Sequence, residues 1–125
     1  MIQTISRERT IVLPEYCGAT PGLQWPIFWP PKDPFDAMDF SLDVSGWLTE
    51  IGDTIGSFIV GSAPDGPDDL EITSAFSHNG VCTILASGGQ PYTTYTVTFT
   101  ITSAIQGKVL ARSVTLPVQP RYGNN

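Results

Sequence analysis

Basic side chains are scarce in this sequence: six Lys and Arg stand against twelve Asp and Glu, for a formal net charge of -6. That balance leaves no cationic cluster to hold a nucleic-acid backbone or an anionic membrane, so the expected partner is a protein or a neutral ligand. Long apolar runs are missing as well. Arg7, Glu8 and Arg9 break the amino-terminal stretch where a secretory signal keeps its apolar region, and no later run has the length of a membrane span. The expected product is soluble. Histidine is represented once, by His78 beside Asn79-Gly80, where a turn exposes it and no nucleophile is placed near it, so an enzyme is not expected. Cysteine appears twice, as Cys17 and Cys82, too far apart for any metal or redox spacing. Two buried thiols are expected, with a disulfide between them as the alternative.

Other patterns that imitate sites have simpler readings. Asp65, Asp68, Asp69 and Glu71 lack the alternating ligands and closing Glu of a calcium loop, and read as a solvated turn. Asp33, Asp36, Asp39 and Asp43 read the same way. "ASGGQPY" has no Lys-Ser/Thr after its glycines and no helix to follow, so it reads as a hairpin turn rather than a phosphate loop. No metal and no cofactor are expected.

What the sequence does have is a change of character near residue 40. Before it, Pro14, Pro21, Pro26, Pro30, Pro31 and Pro34 exclude a helix interior or a central strand. After it, the punctuation is that of an all-β domain. In "YTTYTVTFTITSA", Tyr95, Val97, Phe99 and Ile101 alternate with threonines, which puts one face inward and the other towards water. Gly107 then turns the chain into "VLARSVTLPV", with Val114, Leu116 and Val118 on one face. Asn79-Gly80 joins "LEITSAFS" to "VCTILAS" through a type I′ turn. "FSLDVS" and "DTIGSFIV" are further strands around "GWLTEIG", which has room for little more than a helical turn. The fold class expected is an antiparallel β-sandwich of about seven strands. Its core is expected to hold Trp47, Ile55, Phe58, Leu70, Ile72, Phe76, Ile84, Val97, Phe99, Ile101, Val114 and Leu116. The expected division is an arm over 1–39, the sandwich over 40–119 and a tail over 120–125.

The order "DFSLDVSGWL", "GDTIGSFIV", "LEIT" and "VCTILASGGQPYTTYTVTFTITSAIQGKVLARSVTLPV" resembles small immunoglobulin-like virion structural proteins of tailed bacteriophages and prophages. The matching positions are Asp43, Trp47, Leu48, Gly52 to Ile55, Gly88, Gly89 and Tyr95 to Thr98. The resemblance implies an immunoglobulin-like sandwich and a non-enzymatic particle component, synthesised in the host cytoplasm and carried in the virion. Decoration of the capsid, a collar at the head-to-tail junction and a fibre adaptor all fit it, with capsid, portal or neck, tail or fibre proteins as partners and multiple copies in a symmetric array.

"PGLQWPIFWPPKDPFDAMDF" crowds aromatics and prolines into one run without helical or strand period. It reads as a disordered tail, as a flap over its own sandwich, or as an arm docked on a neighbour. Its aromatic content disfavours the first. The neighbour-docking reading is preferred, with Trp25, Phe28, Trp29 and Phe35 as anchors, and with Ile11, Val12 and Leu13 adding a strand to a neighbour's sheet edge. Trp29→Ala should then spare the melting of the domain, whereas Trp47→Ala should unfold it. A carbohydrate-binding or host-attachment module is the alternative, in which Tyr92, Tyr95, Trp25 or Trp29 would stack on a sugar.

Overall fold

In the computed structural model, which describes residues 9–12 and 27–120, seven strands build two facing sheets. The strands are β1 (Thr10–Val12), β2 (Ala37–Asp43), β3 (Ile55–Ala63), β4 (Leu70–His78), β5 (Val81–Gly88), β6 (Thr93–Ser103) and β7 (Val109–Val118). One helix, α1 (Ser45–Ile51), follows β2. The first sheet has the order β1-β2-β5-β4 and the second β3-β6-β7.

The period-two reading of β6 is met residue by residue: Tyr95, Val97, Phe99 and Ile101 are fully buried, and Leu116, Val114 and Leu110 of β7 pair with Tyr95, Val97 and Ile101, while the buried Val118 pairs with Thr93. Phe40, Leu42, Cys82, Ile84 and Ala86 supply the facing layer from β2 and β5. Trp47 is buried too, on α1 at one end of the sandwich, and Ile55, Phe58 and Ile72 pack half-buried against the same core. Asn79 and Gly80 both take positive φ (52 and 81), as a type I′ turn requires. The helix is longer than the single turn expected. It stops at Gly52, whose left-handed φ of 66 caps it and lets its N–H reach the last-turn carbonyls.

Four expectations need correction. "ASGGQPY" is no hairpin, because β5 and β6 lie in different sheets and the glycines carry the chain across. A Cβ on Gly89 would stand 3.0 Å from a Val118 methyl, so the crossing passes tight against β7. Phe76 is displaced from the inward set by a bulge between Ile72 and Ser74, which shifts the alternation and sets it opposite Thr83 on the outer face of its sheet. The packing does not change at residue 40: β2 starts at Ala37, and Ile27, Trp29, Lys32 and Asp33 are already buried in the same body. Lastly, β1 adds in parallel to β2 of its own sheet, pairing Thr10 with Ser41 and Val12 with Asp43, instead of seeking a neighbour's edge.

Candidate docking surface

The amino-terminal segment from Ile27 to Lys32 runs beside β7 in parallel, bridging Phe28 to Thr115 and Lys32 to Val118. Its backbone is tied by Trp29 N–H to Thr115 O at 3.0 Å, Thr115 N–H to Ile27 O at 2.7 Å, Lys32 N–H to Pro117 O at 2.9 Å and Gln119 N–H to Lys32 O at 2.8 Å. An outer position suits its prolines, whose missing donors face no strand. Alternation then sends Trp29 inward, where it is 1% exposed and packs on Phe40 and Phe99 at centroid distances of 5.2 and 6.0 Å. Its Nε1–H donates to Ser41 O at 3.0 Å, so the one polar atom of the ring is satisfied. Trp29 therefore cannot anchor a partner in this arrangement. It closes the chain's own core, and the preference for a wholly outward arm is corrected at that residue.

Two residues on, Lys32 is buried as well. Its Nζ donates to Asp33 O at 2.8 Å and to Gly88 O at 2.7 Å, which ties the segment to the interglycine crossing. Burial pulls the pKa of this ammonium below the usual lysine value, while Asp36 and Asp33 oppose the shift. Nothing in "PPKDP" marks that lysine as buried. Asp33, expected in a solvated loop, is likewise buried and accepts from Phe35 N–H at 2.9 Å.

Asp39, Asp43, Asp69 and Asp53 also hold structure. Asp39 pairs with Arg9 at 2.8 Å, and Arg9 Nε–H donates to Asp39 O. Asp43 Oδ1 accepts from the N–H and hydroxyl of Ser45 at the start of α1. Asp69 Oδ1 accepts the Tyr95 hydroxyl at 2.6 Å and Oδ2 accepts Gly66 N–H at 2.8 Å. Burial, and then that carboxylate, push the Tyr95 pKa up. Asp53 closes its local turn with Thr54 and also accepts from Gln106 N–H at 2.8 Å across the β6–β7 turn. These backbone donors, Gln106 first, hold its pKa below the ordinary aspartate value. Cys82 is a buried thiol pushed up to about 12 by burial and by nearby Asp43, while Cys17 lies outside the described residues.

What stays outward on the clamped segment is Phe28, 55% exposed, and Phe35, 91% exposed. Val12 is exposed on β1 and Ile11 packs against the core, while Leu13 and Trp25 lie outside the described residues. Phe35 follows Lys32 at the end of the sandwich where β6 begins, the end that also carries the exposed ring of Tyr92. The sugar platform imagined for Tyr92 and Tyr95 is not assembled, since Tyr95 is fully buried with its hydroxyl engaged and Trp29 is in the core. At the opposite end a cleft of about 640 Å³ opens between α1, the β4–β5 turn and the β6–β7 turn, lined in part by Leu48, Asp53, His78 and Ile105. His78 there is exposed and its imidazole contacts only the Asn79 amide among the hydrogen bonds of the described residues, 3.2 Å away. Among those residues no three His, Cys, Asp or Glu side chains come together as a metal site.

These features define a two-sheet β-sandwich closed by its own amino-terminal segment, which displays aromatic side chains from a hydrogen-bonded backbone. The chain belongs to the family described as podophage GP4 fiber-tail adaptor protein gp77, whose model matches residues 32–117, and it is accordingly a small structural protein of a phage virion. No curated protein matches it. The matched span opens at Lys32, the buried residue that fastens the segment.

Proposed function

We infer that this chain is a non-enzymatic adaptor that joins a fibre to a phage tail, docking through the outward residues of its amino-terminal segment. The observation that carries this reading is Phe35, a large ring 91% exposed on a backbone fixed just before it by Lys32 and, through Asp33, at its own N–H. A ring presented from an already ordered segment loses little entropy on docking, so more of its burial energy appears as affinity. Such a ring contributes about 1.5–3 kcal/mol when fully buried. Phe28 and Val12 are further exposed apolar side chains of the described amino-terminal residues, and the family description favours tail and fibre proteins over capsid or neck as the partners.

The experiment is incorporation of Phe35→Ala into particles, scored by the amount of this chain and of fibre in purified virions, beside the melting of the isolated variant. Unchanged melting with loss of fibre or of the chain itself is the expected outcome. Full incorporation and normal fibre content would remove Phe35 from the docking surface.

A further inference from the structure

Among the described residues, the outward positions of the β3-β6-β7 sheet carry no charged side chain. On β6 the outward positions are Thr94, Thr96, Thr98, Thr100 and Thr102. On β3 they run from Ser57 through Ile59 and Gly61 to Ala63, and on β7 from Val109 through Ser113 to Pro117. Phe28 continues the row beyond β7. Within these three strands the one charged residue, Arg112 on β7, stands at the opposite parity, paired with the buried Phe99. Among the solvent-facing members are Ile59, 72% exposed, and Val109, 60% exposed.

We propose that this face is a self-association surface, and that its occupant is the same face of a second copy of this chain. The charge distribution selects that occupant. A basic partner would be drawn to the acidic loop around Asp65 and Asp68, not to a neutral sheet. Two copies of net charge -6 repel each other, and they meet without like charges in contact when neutral face meets neutral face. Hydroxyl chemistry points the same way. A threonine or serine hydroxyl both donates and accepts, as the Thr98–Ser113 pair shows at 2.8 Å, so identical faces can satisfy one another about a two-fold axis. The area is sufficient. Three strands and the added segment, spaced about 4.8 Å apart and about eight residues long, outline roughly 500 Å² per copy. A pair then buries about 1,000 Å², the size a specific interface has to reach. This inference does not rest on the adaptor reading, which is carried by Phe35; the two surfaces share only Phe28.

The test is sedimentation velocity of the full chain from micromolar to submillimolar concentration, at low and at raised salt. A dimer is expected that strengthens with salt, because screening removes the repulsion between copies while a neutral interface loses nothing. Ile59→Glu and Thr96→Glu, both at exposed positions, should each weaken it about tenfold or more with melting unchanged. Ser74→Glu, which adds the same charge to the other sheet, should leave it as it was. A monomer throughout, a dimer indifferent to Thr96→Glu, or equal weakening by Ser74→Glu each overturns the proposal. So does protection of this face in assembled particles by a fibre or tail protein instead of a second copy.

Discussion

On the outer side of the β1-β2-β5-β4 sheet, Asp39, Asp43, Glu71 and His78 stand among the strands, and Asp39 and Asp43 have assigned work in holding Arg9 and starting α1. The β3-β6-β7 sheet shares the same core but turns threonine, serine and small apolar residues outward. The difference teaches that the acidic surplus of this chain is local equipment. Asp33, Asp43, Asp53 and Asp69 sit where a turn, a helix start or a loop needs an acceptor, and the outward positions of one sheet are left uncharged among the described residues. The two sheets also close differently. β2 is flanked by β1 with an ion pair at its start, whereas β7 is flanked by an irregular segment that drives Trp29 between the sheets.

The largest expected effect lies at that irregular flank. Trp29→Ala should destabilise the isolated chain by about 3–5 kcal/mol in denaturant unfolding, the range for deleting a buried aromatic. Thr96→Ala on the uncharged face should stay within about 0.5 kcal/mol. Equal stability of the two variants would mean that the segment does not close the core in solution. Next in size is Tyr95→Phe, which leaves Asp69 and the Gln90 N–H without the phenol oxygen between them and should lower stability by about 2 kcal/mol. A thermal melt indistinguishable from the parent would show that water replaces that oxygen without loss.

The smallest effect concerns Asp53 and is read from pH. Its pKa is lower in the folded chain than unfolded, so its contribution is present above the ordinary aspartate pKa of 3.8 and is lost as pH falls through the lower folded value. Asp53→Asn should therefore lower the neutral plateau of a melting-against-pH profile slightly and flatten its acid limb, while leaving the stability at the lowest pH nearly unchanged. Coincident acid limbs for parent and variant would mean that the β6–β7 turn does not depend on this carboxylate.

Legibility followed the range of the forces involved. The β6 strand was readable because alternation is a local property: successive side chains leave opposite faces, and the apolar set had to be buried together. The Asn79-Gly80 turn was readable for a similar reason, since its positive φ values belong to the residues themselves. "ASGGQPY" was harder. The same glycines serve a hairpin or a crossing between sheets, and only the pairing of β5 with β2 and β4 excludes the hairpin. At the candidate docking surface, the exposed Phe35 and the buried Trp29 came from one aperiodic run that does not distinguish them.

The sequence by itself determined the strands from β2 to β7, the two glycine turns that end β4 and β6, and an apolar set sufficient for one sandwich core. Each follows from the steric preference of a residue or from a period carried within a few neighbours. Only the tertiary structure decided that residues 27–33 lie along β7, that Trp29 faces inward and Phe28 outward, and that Lys32 is buried on Gly88 O. Those outcomes depend on the carbonyls of Gly88, Thr115 and Pro117 and on the ring of Phe99, all far along the chain, which no local pattern records.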